Sequence, residues 1–278
     1  FIKILQKVDL SFIAIDEAHC VSMWGHDFRP EYRQLGMLKQ VFPDVTIGAY
    51  TATATELVRS DIAEQLGLKD PQMLIGSFDR PNLVYKVQPR KNIVKQVCEI
   101  IDRHKDESGI VYCIRRRDVD EICGELRGRG YNAAPYHAGM DDEDRRKNQD
   151  LFINENADII VATIAFGMGI DKSNVRYVIH TGMPKSLEHY QQESGRAGRD
   201  GLEAECCLFY SGGDYGTWKG LMSDMPEEAQ KVAMEKLQQM FNYCTGVVCR
   251  HKAILRYFGQ DLGKNDCGAC DLCLGELD

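Results

Sequence analysis

Two adjacent acids are the first side chains along this chain whose types and spacing suit chemistry. Asp16 and Glu17 follow an apolar run at residues 11–15, which is typical of a buried strand, and His19 comes two residues later. An aspartate at the end of a parallel strand can hold Mg²⁺, usually through water. A neighbouring glutamate can orient and deprotonate an attacking water, as phosphoryl transfer to water requires. An ordinary acidic loop is the alternative, and the strand and the histidine favour the chemical interpretation.

The loop that follows, residues 20–30, combines aromatic and basic side chains: Trp24, His26, Phe28 and Arg29. Aromatic faces stack on bases and arginine pairs with phosphate, so this composition favours contact with a nucleic acid. Packing of Trp24 and Phe28 into a core is equally compatible with the composition.

Two arginines stand three residues apart in the string GRAGR at residues 195–199. A helical turn would put Arg196 and Arg199 on one face, and the small residues between them allow close approach of the backbone. Arg199 is the candidate arginine finger, which stabilises charge on a transferred phosphoryl group, with Arg196 beside it at the phosphates. A basic helix cap is the alternative.

The 11 cysteines divide into two groups. Cys267, Cys270 and Cys273 form two overlapping C-x-x-C steps, which suits a tetrahedral, closed and therefore structural zinc site. We expect the fourth ligand on the preceding helix, where both Cys244 and Cys249 lie near. Others lie in apolar or periodic segments and are interpreted as small core residues: Cys98, Cys113, Cys123, Cys206 and Cys207.

Strand and helix signals alternate along the chain. This alternation predicts an α/β fold with a parallel sheet, helices on both faces, and ligands at the carboxyl ends of the strands. The expected strands are residues 11–15, 46–50, 109–112, 133–136, 159–163, 175–180 and 205–209; the expected helices are residues 56–66, 92–105, 118–129 and 141–153, with another beginning near Pro226.

Breaks in this pattern at residues 76–82 and 211–214 contain glycine with serine, proline or aspartate and predict domain boundaries. Only two strand signals precede the first break, so we expect the first domain to be truncated at its N-terminal side. Because Phe1 is not an initiator methionine, we also expect the sequence to begin inside a longer protein. The expected domains are residues 1–76, 77–212 and 213–278.

The net charge of −8 argues weakly against a protein that wraps nucleic acid, but not against binding in a local groove. No apolar run reaches the ~18 residues that a membrane-spanning helix needs, and no signal peptide opens the chain. We therefore expect a cytoplasmic protein, or one in the nucleoid within the cytoplasm, without a membrane partner.

Taken in order, the motifs resemble those of the RecQ family of superfamily 2 helicases. The resemblance covers residues 1–275, and it rests on the order and the number of the matching strings. Residues 16–32 resemble the DEAH motif and the aromatic-rich loop, 51–55 (TATAT) motif III, 77–82 (SFDRPN) the inter-lobe segment, 136–140 and 162–172 motifs of the second lobe, and 192–201 motif VI.

The resemblance implies RecA-like helicase lobes, the first one truncated, followed by a small helical zinc-binding module. It implies an ATP-dependent DNA helicase that moves 3′ to 5′, uses Mg²⁺ with ATP, and binds single-stranded and forked DNA. It also selects Cys249 over Cys244 as the fourth zinc ligand. The further residues expected at the nucleotide are Asp171, Gly169 and Gln192, and those expected at DNA, besides the aromatic loop, are Arg116, His137 and Thr163. The threonines of residues 51–55 are expected to link the nucleotide site to the DNA path or to cap the helix that begins at Glu56.

The chain departs from the family pattern in several places. It contains no G-x-x-x-x-G-K-[ST] string, so we expect this phosphate-binding loop and the adenine-reading segment upstream of Phe1, and no ATP turnover by this chain alone. Arg115 stands where relatives often have serine, and Asp171 where some have asparagine. A DEAD-box-like RNA helicase and a non-catalytic nucleic-acid-binding module remain as alternatives.

Overall fold

The computed structural model describes residues 2–167 and 170–276, which form two compact units. Unit 1 consists of the chain up to Phe78 together with Tyr257–Gln260. Unit 2 consists of Asp79–Arg256 and the chain from Asp261 onward. Within the described residues, no helix is both long and apolar enough to cross a membrane.

Unit 1 is built on a pair of parallel strands, with Phe12 in register with Thr46. Its longest α-helix begins after Thr55, whose side chain accepts a hydrogen bond from the backbone N of Val58 at 3.5 Å. The expected capping role of the threonine is therefore confirmed. The elements are α1 (Ile2–Leu5), β1 (Phe12–Ile15), 3-10 helices Ala18–Val21 and Pro30–Met37, α2 (Leu38–Val41), β2 (Thr46–Ala49) and α3 (Glu56–Gln65).

Unit 2 contains a six-stranded sheet in which all paired strands are parallel. The strand order is β3-β8-β7-β4-β6-β5, so the predicted parallel α/β architecture is confirmed. The edge strand β3 was not among the expected strands. Pro89 ends it, at an edge position that tolerates proline. The strands are β3 (Leu83–Pro89), β4 (Ser108–Tyr112), β5 (Ala133–Tyr136), β6 (Ile159–Ala162), β7 (Val175–His180) and β8 (Ala204–Tyr210).

Helices cover the sheet and extend into the C-terminal region. The break expected at residues 211–214 follows β8 and includes the start of a helix, where Ser211 and Asp214 form a capping box. The helix expected near Pro226 begins directly after it. The helices are α4 (Ile93–Arg103), α5 (Arg116–Gly128), α6 (Asp142–Ile153), α7 (Leu187–Ser194), α8 (Gly212–Leu221), α9 (Glu227–Thr245) and α10 (Arg250–Tyr257).

The core of unit 2 includes cysteines. Cys98, Cys113, Cys123, Cys206 and Cys207 are all buried, as expected for small core residues. Burial raises the pKa of the Cys113 thiol to about 12, so this thiol stays protonated and unreactive at neutral pH.

The C-terminal cysteine loop, residues 267–273, continues the sheet beyond β3. The backbone N of Tyr85 donates to the carbonyl of Ala269 at 3.1 Å, and the backbone N of Asp271 donates to the carbonyl of Tyr85 at 2.9 Å. The Asp271 carboxylate accepts from the backbone N of Val87 at 2.9 Å and from Nε of Arg250 at 2.9 Å. The loop therefore covers an edge that would otherwise expose unpaired backbone groups.

Candidate functional site

The acidic pair lies at the carboxyl end of β1 in unit 1. Asp16 is exposed, and its Oδ1 accepts a hydrogen bond from the backbone N of Glu17 at 2.8 Å. Glu17 has φ 48 and ψ 42, in the left-handed region. A residue other than glycine held in this region costs on the order of 1–3 kcal/mol, and such residues cluster at functional sites. The strained backbone is consistent with a chemical role for this turn.

His19 joins the acidic turn to the segment that resembles motif III. The buried imidazole has Nδ1 2.9 Å from Thr51 Oγ1 and 3.3 Å from Glu17 Oε2. Its ring stacks on His26, with the centroids 4.0 Å apart. A shift of residue 17, residue 26 or residue 51 therefore acts directly on the same imidazole.

The aromatic loop presents Trp24 to solvent, with 41% of its surface exposed. Trp24 is thus not a core residue. Phe28 is partly buried and lies under the guanidinium of Arg33, whose central carbon is 5.0 Å from the ring centroid. Arg29 pairs with Asp27 at 2.6 Å. An exposed indole beside stacked and paired arginines is suited to contact a base and a phosphate.

In unit 2, Arg196 and Arg199 lie on a turn, not on a helix as the sequence suggested. Helix α7 ends at Ser194, and the arginine turn, residues 195–200, includes Gly198 at φ 55. The left-handed glycine breaks the helical path, which is why the expected helical face does not form.

Both arginines nevertheless bind the same segment after β6. Arg196 Nη1 donates to the carbonyl of Gly167 at 2.5 Å. Arg199 Nη1 donates to the carbonyl of Ile170 at 2.8 Å and to Asp171 Oδ1 at 3.2 Å. The Asp171 side chain is 94% exposed and that of Arg199 36%, so both can reach a ligand in solution.

The four expected zinc ligands come together in unit 2. The Sγ atoms of Cys249, Cys267, Cys270 and Cys273 all lie within 4.8 Å of one another. A tetrahedral zinc site with Zn–S of about 2.3 Å has sulfurs about 3.8 Å apart, so the cluster fits zinc after small adjustments. Cys249 lies just before α10, not on a helix as expected. Cys244 is buried on α9 and is not part of the cluster.

Comparison with known proteins bears on both halves of unit 2. Residues 92–201 match the model of the helicase conserved C-terminal domain, and residues 212–274 match the RecQ zinc-binding model. The ATP-dependent DNA helicase RecQ of Pasteurella multocida is 46% identical over 275 residues, which is 99% of this chain and 43% of the relative. The chain belongs to the RecQ family. The family resemblance expected from the motifs is thereby confirmed.

Other relatives extend the match across kingdoms. The RecQ helicase of Bacillus subtilis is 43% identical over 98% of this chain and 46% of its own length. The RecQ-like DNA helicase BLM of Xenopus laevis is 45% identical over 96% of this chain and 21% of its own length. The chain thus spans less than half the length of these relatives.

Solved structures agree on the fold. Saccharomyces cerevisiae Dbp5 bound to RNA and ADP BeF3 aligns with a TM-score of 0.62 and 16% identity, covering 85% of this chain and 67% of that one. This likeness concerns the fold alone. Unit 2 is a RecA-like helicase C-terminal lobe followed by a helical zinc-binding region.

The further site residues that the RecQ resemblance implies differ in their exposure and hydrogen bonding. Arg116 is exposed as the first residue of α5, and Thr163 is buried after β6. His137 has both ring nitrogens engaged: Nδ1 accepts from the backbone N of Gly139 at 3.1 Å, and Nε2 lies 3.1 Å from Asp120 Oδ1. Gln192 is the one residue of α7 that is not buried, whereas Gly169 lies outside the described residues.

Sequence reasoning missed two residues that hold the arginine turn. Arg80 donates hydrogen bonds to three carbonyls of this turn, and Asn82 donates to one of the same carbonyls and to that of Leu202. Their strings, SFDRPN and GRAGR, each matched a family motif. Nothing in the spacing, however, indicated that the two strings meet.

Proposed function

We propose that this chain is a part, without the phosphate-binding loop, of a RecQ-type ATP-dependent DNA helicase, an enzyme that hydrolyses ATP and moves 3′ to 5′ along DNA. The observation that carries the proposal is 46% identity over 99% of the chain to a protein of that name. Within this function, we assign roles to residues of each unit.

In unit 1, Asp16 would hold the Mg²⁺ that accompanies ATP, through water, and Glu17 would take the proton of the attacking water. Mg²⁺ neutralises charge on the phosphate oxygens. The exposed Asp16 and the strained, outward turn at Glu17 support these roles. His19 would hold the carboxylate of Glu17 in place. A shift of that carboxylate would move His19 relative to Thr51, whose Oγ1 lies 2.9 Å from the Nδ1 of His19.

In unit 2, Arg199 would act as the arginine finger and Arg196 as its partner at the phosphates. Asp171, with Gln192 and Gly169, would contact the nucleotide. The described hydrogen-bond acceptors of Arg199 are the carbonyl of Ile170 and the exposed carboxylate of Asp171. A phosphate group can compete with both of these acceptors, because charge-assisted pairs with phosphate are stronger than bonds to a neutral carbonyl.

DNA would contact the aromatic loop in unit 1 and, independently, the basic start of α5 in unit 2. Trp24 and Phe28 would stack on bases, while Arg29, Arg116 and His26 would contact phosphates. For His137, burial and its hydrogen bonds favour a contact through its loop over a direct side-chain contact, and for Thr163 burial does the same. Forked DNA is the proposed substrate, in DNA repair and recombination within the nucleoid of the cytoplasm.

The four cysteines would bind one structural zinc ion, because all four ligands come from protein and no position stays open for a substrate. We propose residues 1–76 as part of the first helicase lobe, 77–212 as the second lobe and 213–278 as the zinc-binding domain.

The test is ATP hydrolysis by the longer protein that contains this chain and a phosphate-binding loop, with single-stranded DNA or RNA of the same sequence, followed by unwinding of forked duplexes. We expect strong stimulation by DNA, weak stimulation by RNA, and unwinding that needs a 3′ overhang. The rival function is an RNA helicase, since one relative, 42% identical, is named a putative ATP-dependent RNA helicase of mimivirus. Preferential stimulation by RNA would favour that rival.

A further inference from the structure

We infer that Arg80 is a positioning residue for Arg199, which acts by fixing the backbone of the arginine turn. This inference rests on the proposed function, in which Arg199 stabilises the transition state. It adds a residue that touches neither nucleotide nor DNA in that scheme.

The guanidinium of Arg80 spans the turn with two nitrogens. Nη1 donates to the carbonyl of Gly195 at 3.1 Å, and Nη2 donates to the carbonyls of Ala197 at 2.9 Å and Gly198 at 3.0 Å. Two of these acceptors directly precede Arg199 in the chain. A movement of the Arg80 guanidinium therefore displaces the peptide units from which the finger extends.

The turn needs such a donor because no described backbone N–H donates to the carbonyls of Gly195 and Ala197, whereas the carbonyl of Gly198 also accepts from the backbone N of Gly201 at 3.1 Å. The last carbonyls of a helix, and those of the turn after it, have no partner within the helix. Ala197 is buried, so water is a poor substitute for a donor to its carbonyl. Buried carbonyls without a partner destabilise a conformation, so a turn without Arg80 would relax toward other arrangements.

Gly198 and Asn82 restrict the turn from a second direction. The amide of Asn82 donates to the carbonyl of Gly198 at 2.9 Å and to that of Leu202 at 2.8 Å. A Cβ at position 198 would lie 2.5 Å from the Asn82 nitrogen, on a residue with φ 55. The backbone at Gly198 thus fits closely against Asn82, and Arg80 adds a further bond to the same carbonyl.

Asp79, the residue before Arg80, is held by a contact with His251. His251 lies with Nδ1 2.8 Å from Asp79 Oδ1 and Nε2 3.0 Å from the carbonyl of Leu83. His251 is buried on α10, two residues after the zinc ligand Cys249. Arg80 is therefore held between an anchor in the zinc-binding region and the turn that carries the finger.

A lysine at position 80 keeps the charge but loses the planar fork, so it cannot reach three carbonyls in the same geometry. In the longer protein, Arg80→Lys should lower kcat for DNA-stimulated ATP hydrolysis by about tenfold to a hundredfold, the range that a small misplacement of a catalytic group produces. The KM for ATP should change by less than about threefold, because an interaction made only in the transition state is impaired.

The matched control is Arg127→Lys. Arg127 also donates to a backbone carbonyl, that of Ala133 in β5, at 2.7 Å, and this carbonyl lies outside the arginine turn. The variant Arg127→Lys should lower the melting temperature about as much as Arg80→Lys does, and it should leave kcat unchanged. A loss of kcat in both variants that follows the loss of stability would overturn the positioning role.

A double-mutant cycle tests whether Arg80 acts through Arg199. In an Arg199→Ala background, Arg80→Lys should reduce kcat by less than about threefold, because the finger that it positions is gone. Full additivity of the two effects would refute the inference, and so would a parent-like kcat of Arg80→Lys beside a slow Arg199→Ala. If Arg199→Ala itself turns over ATP at the parent rate, the proposed function fails at that residue, which is a separate outcome.

Discussion

The acidic turn of unit 1 and the arginine turn of unit 2 carry opposite charges and are held by different kinds of hydrogen bond, backbone to backbone in the first and side chain to backbone in the second. Asp16 and Glu17 lie on a turn after β1, and a backbone hydrogen bond from the N of Ala18 to the carbonyl of Tyr50, at 2.9 Å, ties this turn to the residue after β2. Arg196 and Arg199 extend from a turn whose carbonyls are bound by Arg80, more than a hundred residues earlier. Carboxylates that hold hydrated Mg²⁺ need room for water, whereas an arginine finger needs a fixed backbone.

This difference predicts which substitutions affect only the chemistry at their own position and which also affect the stability of the surrounding structure. At the acidic turn, a substitution should change chemistry without changing stability. Around the arginine turn, residues far from the nucleotide should change both, because Arg80 binds the turn and its neighbour Asp79 contacts His251 of the zinc-binding region.

The largest expected effect is that of Cys270→Ser. The cysteine loop is part of the sheet edge at Tyr85, so loss of zinc should unfold the C-terminal region first and weaken the support of the arginine turn. Structural zinc contributes about 10–16 kcal/mol of folding free energy in small zinc modules. Elemental analysis should find less than about half an equivalent of zinc in the variant and one equivalent in the parent.

Cys244→Ser is the control for that change, since Cys244 is a buried cysteine outside the cluster. It should retain the zinc of the parent. Zinc retained by Cys270→Ser, or lost equally from both variants, would mean that the four thiols are not the ligands.

Arg199→Ala comes next. In the longer protein, it should spare ATP binding and lower turnover by a factor on the order of a thousand, as removal of an arginine finger does. Arg129→Ala removes an exposed arginine paired with Glu125 and serves as the control. Steady-state ATPase and nucleotide-binding assays on both variants check this, and a fall of only a few-fold for Arg199→Ala would speak against the finger.

Trp24→Ala and Phe28→Ala should uncouple DNA from hydrolysis with a smaller effect. Stacking contributes about 1–3 kcal/mol per base, so DNA stimulation should drop roughly tenfold while basal ATPase persists. Leu57→Ala, at another exposed apolar residue of unit 1, should change neither. Melting temperature is measured in parallel, because a large fall together with loss of all activity would indicate that these rings stabilise the fold instead.

The smallest expected effect is a pH dependence in unit 2, away from the arginine turn. The pKa of His104 is raised by its hydrogen bond to Glu205, against the opposing effect of burial, and further by Glu107. Since the folded pKa exceeds the unfolded value, this stabilisation is complete below about pH 6.5 and disappears as pH rises through the folded pKa.

At Glu205, burial would raise the pKa, but hydrogen bonds from His104 and Arg103 outweigh it and lower the pKa to about 2. This contribution is present above about pH 4.5 and is lost as pH falls from there toward 2. Melting temperatures measured across pH should therefore decline modestly above neutrality in the parent and less in His104→Gln. An identical decline in the two proteins would contradict this assignment.

Local spacing made the cysteine cluster and most strands predictable from the sequence. C-x-x-C steps put ligands within reach of one ion whatever the surrounding fold, and buried parallel strands are recognisable as continuous apolar runs. The same logic predicted that Asp16 and Glu17 directly follow a strand, and β1 does end at Ile15.

Helix α7 was not predictable in this way. Its sequence, LEHYQQES, lacks an apolar stripe, yet all but one of its residues are buried. Their polar groups find partners far away in sequence: Glu193 pairs with His180 at 2.7 Å, and Glu188 pairs with Lys236 on α9. Periodicity detects a helix that buries apolar residues, but not one whose polar side chains are paired by tertiary contacts.

The most direct test of the central claim, that this chain carries the hydrolytic centre of an ATP-driven motor, is Glu17→Gln in the longer protein. ATP binding and DNA-stimulated ATP hydrolysis are measured for this variant and for the control Glu31→Gln, which removes an exposed acid elsewhere in unit 1. Glu17→Gln should bind ATP like the parent and lose hydrolysis by at least about a hundredfold, because only the base that activates water is removed. Hydrolysis by Glu17→Gln near the parent rate would contradict the account.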